Sequence, residues 1–208
     1  MGYTSNHTFQ SKFLDPDKMA QSNEVEPEEL DPAADAGLKM DGHSGINPAE
    51  GEKAQEAFRS VLGQFATGVT VMTTLTSDGE KVGLTVNSFN SLSLDPPLIL
   101  WSIANLTPSF ECFQVGEAFA VNVLSSNQED LALQLAQTSQ NKFQGIRLVT
   151  GLDNVPLIDG CVAYLECNVD ARHPGGDHDI IVGHVTRVFN LSRAPLLFHG
   201  GEFRTISD

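Results

Sequence analysis

The sequence predicts a mainly β fold in which antiparallel strands form a barrel with a few helices at its periphery. Segments rich in β-branched and aromatic residues recur along the chain, and Ser77-Asp78-Gly79-Glu80 joins the first two as a hairpin turn. The chain shows no regular strand-helix-strand alternation, which a parallel sheet would require. The strand-like segments are 69–76, 81–86, 98–103, 118–124, 161–171, 180–190 and, with a weaker pattern, 202–206.

Charge divides the chain unevenly. The chain has 208 residues and a formal net charge of −15. Positions 1–56 hold 12 acidic and 4 basic residues, whereas positions 57–208 hold 15 acidic and 8 basic residues. We therefore expect an acidic, disordered or loosely docked extension over 1–50 and one folded domain over 51–208. An acidic chain without a Lys or Arg cluster argues against nucleic acid as a partner.

Three segments predict helices. The first begins near residue 50 and ends near Gly68, and its apolar residues repeat at helical spacing, so we expect it to dock on the core. Two short helices are expected at 108–115 and 128–137, with Thr107 and Asn127 as N-caps. The apolar face of the first helix comprises Ala54, Ala57, Phe58, Val61, Leu62 and Phe65.

The cysteine pattern and the hydropathy favour a cytoplasmic protein. Cys112, Cys161 and Cys167 have no metal-type or redox-type spacing, and we expect them to be reduced and packed in the core. Cys161 and Cys167, both expected on one strand, would lie about 20 Å apart. No apolar run reaches the roughly 20 residues of a membrane helix. The first residues also lack the basic start and following apolar stretch that are typical of a secretion signal.

The most distinctive motif is a row of small polar residues at 83–98, where an apolar strand ends. Thr85, Asn87 and Ser88 offer hydrogen-bond donors and acceptors without bulk or charge, as a polar planar ligand requires. A polar loop that only makes turns explains the same residues equally well.

Two further segments carry candidate binding groups. Between two long strands, Pro174, Gly175 and Gly176 force a tight turn that presents His178, although a single loop histidine is more often structural. His178 and His184 share a strand but lie about 20 Å apart, so they make a poor joint metal site and we expect no metal. The polar residues that follow Trp101 lead to the predicted helix at 108–115, whose free N–H groups suit an anion, although most capped helices bind none.

Several common signatures are absent from the sequence. It contains no G-x-G-x-x-G after a strand, no G-x-S-x-G and no H-E-x-x-H. The glycine spacing at 63–70 imitates a P-loop, but Val69 stands where the phosphate-binding lysine belongs, and the segment precedes a strand. These observations argue against a Rossmann nucleotide site, a nucleoside triphosphatase, a serine hydrolase and a zinc protease.

Taken in order, the motifs resemble the flavin reductase-like family, the small NAD(P)H:flavin oxidoreductase components of two-component monooxygenases. The resemblance covers about 58–203 and rests on the segments 65–73, 85–98, 119–128, 142–143 and 176–185. It implies a six- or seven-stranded split barrel with Greek-key connectivity and a homodimer with FMN or FAD near the subunit interface. NADH or NADPH would donate hydride, and a separate flavin-dependent monooxygenase would receive the reduced flavin.

The resemblance also implies roles for individual residues. The flavin ring and ribityl chain would contact Thr85, Val86, Asn87 and Ser88. The ribityl and phosphate end would lie against Ser102, Ala104, Asn105, Thr107 and Ser109, with Lys142 and Phe143 closing the tail site. His178 would act beside the nicotinamide as an orienting donor, and Phe203 would lie near the ring.

Two other functions fit the same sequence. A non-catalytic split-barrel protein could bind flavin as a carrier or interaction partner, and such a protein has no evident need for a nicotinamide-facing histidine. A third alternative is an interaction protein that acts through its acidic extension, which a protein without flavin affinity would favour.

Overall fold

The computed structural model describes residues 39–40, 43–139 and 141–206, and seven of the fourteen strands in these residues form one antiparallel sheet. Most of the predicted extension at 1–50 lies outside the described residues. The helices are α1 (Glu52–Leu62) and α2 (Glu129–Ala136). The strands are β1 (Lys39–Met40), β2 (His43–Ser44), β3 (Thr67–Gly68), β4 (Thr70–Leu75), β5 (Lys81–Val86), β6 (Asn90–Leu94), β7 (Pro97–Ala104), β8 (Ala118–Val123), β9 (Leu148–Thr150), β10 (Pro156–Ile158), β11 (Ala163–Gly175), β12 (His178–Asn190), β13 (Leu197–His199) and β14 (Glu202–Arg204).

Seven strands form the main sheet in the order β5-β4-β8-β11-β12-β7-β6, and all neighbours are antiparallel. The strands at its two ends, β5 and β6, follow each other in the chain but do not pair. β13 lies between β14 and β3 in a smaller sheet, β9 pairs with β10, and β1 pairs with β2. The predicted mainly β, antiparallel split-barrel class is confirmed.

The predicted β4–β5 hairpin forms around its Gly-containing turn. The Thr76 carbonyl accepts a hydrogen bond from the Gly79 N–H at 2.9 Å, and the Thr76 hydroxyl accepts one from the Glu80 N–H at 3.0 Å. Gly79 has a φ of 82°, a left-handed conformation that glycine adopts without strain.

Two apolar clusters pack on opposite faces of the sheet. Val71 and Met72, which are adjacent on β4, belong to different clusters because successive strand residues point to opposite faces. Cys161 and Cys167 are buried, one in each cluster, and burial raises the pKa of each thiol to about 12. Their predicted core packing is confirmed, although Cys161 precedes β11 rather than lying on it.

The prediction that the first helix docks on the core is wrong for this chain. α1 ends at Leu62, and of its apolar residues only Ala54 is buried. Val61 is 68% exposed, and Phe65, which follows the helix, is 75% exposed. Helical periodicity shows that one face is apolar, but it does not show which surface covers that face.

The other two helix predictions need smaller corrections. At 108–115 only a single 3-10 turn forms, Phe110–Cys112, and Ser109 rather than Thr107 precedes it. The Phe110 and Phe113 carbonyls accept hydrogen bonds from Arg172 on β11. At 128–137 the helix is present, but Gln128 rather than Asn127 occupies the N-cap position. The Gln128 side chain bonds the Ser125 N–H and the Asp159 carbonyl instead of capping the helix.

An ion pair between a buried carboxylate and a partly exposed guanidinium joins β11 and β12 at the ends away from their connecting turn. Glu166 is 2% exposed, and its carboxylate accepts hydrogen bonds from Arg187 Nε and the Leu152 N–H. Burial alone would raise the pKa of Glu166, but these donors and the Arg187 charge lower it below its usual value. The pair holds the 3-10 turn Leu152–Asn154 against the sheet.

Gly183 on β12 supplies a direct test of core packing. A Cβ there would lie 2.5 Å from Phe119 Cζ and 3.0 Å from Ile99 Cδ1, both in the core. We expect Gly183→Ala to lower the free energy of unfolding by about 1–3 kcal/mol. Gly68→Ala is the matched control, because nothing lies within 4 Å of its Cβ position. Equal denaturant midpoints for the two variants would contradict this packing.

Candidate functional site

A cleft of about 850 Å³ lies where β5, the loop after β7 and the segment after α2 meet. Strand β5 contributes its first half, and the loop after β7 contributes Thr107 and Ser109. The segment after α2 contributes a row of small polar residues followed by a cation and an aromatic ring. The lining from this segment is Ala136, Thr138, Ser139, Asn141, Lys142, Phe143 and Gln144.

Lys142 and Phe143 form one wall of the cleft together with Gly83. Lys142 Nζ donates hydrogen bonds to the carbonyls of Gly83 and Leu135, each at 3.2 Å, and burial lowers its pKa. A Cβ on Gly83 would lie 2.7 Å from Phe143 Cζ, so a glycine is needed for the ring to lie against β5. The ammonium therefore faces the cleft from a fixed position.

The loop after β7 forms the opposite wall. The Thr107 N–H donates to the Ala104 carbonyl at 2.9 Å, and the Phe110 N–H donates to the Thr107 carbonyl at 2.9 Å. Of the five residues predicted to contact the flavin tail, Ala104, Thr107 and Ser109 line the cleft, whereas Ser102 and Asn105 do not. Those three line it from a turn, so the predicted helix N-terminus does not contribute.

Much of the polar row at the end of β5 is already bonded within the protein. The Thr85 hydroxyl donates to the Ala132 carbonyl of α2 at 2.7 Å. The Ser88 hydroxyl accepts from the Ser102 N–H at 3.0 Å and donates to its carbonyl at 3.2 Å. The carbonyl of Val86 accepts from the Thr70 hydroxyl, and Asn87 is exposed. These residues join β5 to its neighbours, and Asn87 keeps its side chain in solvent.

His178 lies beside the cleft wall at the start of β12. It pairs with Ala104 of β7, and its Nδ1 lies 2.7 Å from the Asp177 carboxylate. The hydrogen bond from His178 lowers the pKa of Asp177. Asn105 connects the loop after β7, the cleft loop, to the turn between β11 and β12, since its N–H donates to the Asp177 carbonyl at 3.0 Å. With 45% of its side chain exposed, His178 is accessible to a ligand.

Phe203 lies apart from the cleft, and the predicted ring contacts at 85–88 are also absent from its lining as the structure describes it. Phe203 sits on β14 and packs edge-to-face on Phe198 at 5.5 Å between ring centroids. It does not belong to the lining of the cleft in the described part of the chain. The turn between β13 and β14 contacts the end of α1, through a hydrogen bond from the Gly200 N–H to the Gly63 carbonyl.

Sequence reasoning missed two parts of the site. The polar residues Thr138, Ser139 and Asn141 precede the Lys142-Phe143 motif directly, and this uncharged polar row was the available signal. Arg172 was missed as well. Its ion pair with Asp179 could have been found from their positions on opposite sides of the predicted turn.

Across 39–40, 43–139 and 141–206, no three His, Cys, Asp or Glu side chains converge on a common point. Within the same residues, neither helix is long and apolar enough to cross a membrane.

Comparison with known proteins identifies the family. The flavin reductase like domain matches residues 62–207. The chain belongs to this family. It is 41% identical over 157 residues to the NADH-dependent FMN reductase SmoA of Agrobacterium fabrum, covering 76% of this chain and 89% of SmoA. It is 39% identical over 152 residues to HsaB of Mycobacterium tuberculosis, the reductase subunit of a flavin-dependent monooxygenase, covering 72% of this chain and 81% of HsaB.

Solved structures of this flavin reductase family share the fold. The Streptomyces globisporus NADH:FAD oxidoreductase SgcE6, solved with NAD and FAD fragments, superposes with a TM-score of 0.73 at 36% identity. That alignment covers 79% of this chain and 98% of SgcE6. Nitrilotriacetate monooxygenase component B of Mycobacterium thermoresistibile gives a TM-score of 0.70 at 37% identity, covering 74% and 87% of the two chains.

Proposed function

We propose that this protein is an NAD(P)H:flavin oxidoreductase that reduces FMN or FAD and supplies the reduced flavin to a separate flavin-dependent monooxygenase. The observation that carries the proposal is the polar cleft with Lys142 on one wall and His178 beside the other, in a chain of the flavin reductase family. One relative is named as an NADH-dependent FMN reductase, which supports the flavin reductase activity. Another is named as the reductase subunit of a flavin-dependent monooxygenase, which supports the supply of reduced flavin to a monooxygenase.

The residues around the cleft fit a flavin. Its volume of about 850 Å³ lies within the usual range of cofactor pockets, and its polar lining is mostly neutral hydroxyl and amide. A flavin mononucleotide combines a planar ring, a polyhydroxyl chain and a phosphate. Thr107, Ser109, Ser139 and Asn141 offer partners for the chain, and Lys142 offers one positive charge for the phosphate.

The protein's contribution to the reaction is binding and orientation. When bound, the nicotinamide and the flavin supply the chemistry, a hydride transfer from one to the other. The main-chain groups at the end of β5 and the exposed Asn87 would hold the ring edge, and Lys142 and Phe143 would fix the tail. Asp177 fixes the orientation of the His178 ring, so that its free nitrogen could bond the second reactant.

The experiment that tests this function is a turnover assay that includes a His178 variant. We expect catalytic amounts of protein to oxidise NADH or NADPH when FMN or FAD is added. In His178→Ala the KM for the nicotinamide should rise by about tenfold with little change in flavin affinity, because a hydrogen bond to one reactant is removed. Flavin binding without turnover in the wild type would favour the carrier alternative, and an unchanged variant would exclude this role of His178.

Lys142 provides a test of where the flavin phosphate binds. Lys142→Met should weaken FMN binding by about tenfold and leave riboflavin binding nearly unchanged, because only FMN carries the phosphate that the ammonium would bind. Fluorescence titration of both flavins measures this difference. Arg147→Met is the control, because the Arg147 side chain is 88% exposed and does not line the cleft. Equal loss for FMN and riboflavin would mean that Lys142 only supports the cleft wall through Gly83 and Leu135.

We also infer that the protein is a homodimer that uses α1 as part of its interface. The apolar face of α1 and Phe65 are exposed in the single chain, although apolar surface of this kind is normally covered. Phe203 lies in the small sheet next to the end of α1, outside the cleft of its own chain. Dimerisation through this region would bring Phe203 towards the partner's flavin.

A charge placed on the exposed face of α1 tests the dimer. We expect Val61→Glu to convert the protein to a monomer, because a carboxylate would be buried without a partner in the interface. Val149→Glu on β9 makes the same change at a similarly exposed valine away from α1 and should leave the dimer intact. Sedimentation velocity distinguishes the two states, and a dimeric Val61→Glu variant would exclude α1 from the interface.

A further inference from the structure

Arg172 joins the two segments that flank the candidate site. It lies on β11, and 11% of its side chain is exposed. Its Nη2 and Nε donate hydrogen bonds to Asp179 Oδ2 on β12, at 2.9 and 3.2 Å. Asp179 itself follows His178, and 15% of its side chain is exposed. The ion pair therefore links β11 to β12 next to the turn that joins them.

The third nitrogen of Arg172 reaches the loop after β7. Nη1 donates to the Phe113 carbonyl at 3.3 Å and to the Phe110 carbonyl at 3.5 Å. The guanidinium carbon also lies 4.1 Å from the centre of the Phe110 ring, a cation–π contact. One planar group thus bonds both segments at once, which the single ammonium of a lysine could not reproduce.

The same loop is tied to the turn at its other end. Asn105 donates from its N–H to the Asp177 carbonyl at 3.0 Å, and from Nδ2 to the Gly176 carbonyl at 3.4 Å. Thr107 and Ser109, which line the cleft, lie between these two attachments. The only helix in the described loop at 105–117 is a three-residue 3-10 turn, which has little stability of its own.

We propose that Arg172 is a positioning residue that holds the cleft loop at a fixed position relative to His178. One side chain then fixes the relative positions of the flavin tail site and the nicotinamide site. The inference rests on the proposed reductase function. Arg172 touches neither reactant, and it acts through the carbonyls of Phe110 and Phe113. Loosening the loop should weaken the binding of both reactants while leaving the hydride transfer itself nearly unchanged.

The test uses a double variant that separates positioning from stability. Arg172→Met alone leaves the largely enclosed Asp179 carboxylate without its partner, which destabilises the fold. The double variant Arg172→Met/Asp179→Asn, the clamp variant, removes both charges and should recover the unfolding midpoint, but the loop loses its attachment to residue 172 and keeps only the one through Asn105. The matched control is Arg187→Met/Glu166→Gln, which removes the other ion pair between the same two strands, away from the cleft.

For the clamp double variant we expect the KM for FMN and for NADH each to rise by about tenfold, with kcat at saturation changed by less than about threefold. The control variant should retain wild-type KM values. Unchanged KM values in a folded clamp variant would overturn the proposal. An equal rise in the control would also overturn it, because the effect would then be a general disturbance of the hairpin.

Cys112 provides a readout that does not depend on activity. It ends the 3-10 turn that Arg172 holds, and it is half-buried, whereas Cys161 and Cys167 are fully enclosed. Its rate of reaction with a thiol reagent should rise by about tenfold in the clamp variant and stay unchanged in the control, because local opening exposes the thiol. An unchanged rate would overturn the proposal even if the wild type showed no NADH oxidation. The absence of turnover in the wild type would by itself count only against the reductase function.

Discussion

The pairing of β11 with β12 is the constraint on which the rest of the fold depends. Each strand has 13 residues. Along the edge that faces away from the other, each pairs with a further strand over only part of its length. β8 pairs with β11 over 163–168, whereas β7 pairs with β12 over 178–184. Register shifts in the hairpin at Glu166/Cys167 and Val169/Ala171 lie at this changeover. Such irregularities bend the strands, and the bend lets one hairpin belong to both halves of the split sheet.

The candidate site is a consequence of that geometry. β12 begins opposite the end of β7, so His178 faces Ala104 at the place where the chain leaves the sheet. The cleft opens between this loop and the segment after α2, and neutral hydroxyl and amide groups dominate its polar lining. Such a lining suits a reaction in which the cofactors supply the reactive atoms and the protein supplies position.

The sequence predicted the features that local residue patterns determine. The β4–β5 hairpin follows from a turn containing glycine, and the buried thiols follow from their apolar surroundings. It failed where a distant residue decides the local structure. The segment 108–115 has a good helix start, but its carbonyls bond to Arg172, which lies about sixty residues later in the chain. β9 and β10, with three residues each, are too short for periodicity to reveal.

The apolar face of α1 marks a different limit of sequence reasoning. Periodicity predicts that a face is apolar, and the natural inference is that the same chain covers it. Here the helix contributes only Ala54 to the buried residues, and the rest of its apolar face is open in the single chain. Phe203 follows the same logic, since the resemblance assigns it to the flavin but the chain holds it near α1. Both observations have one physical explanation if a second copy of the chain covers α1 and shares its site.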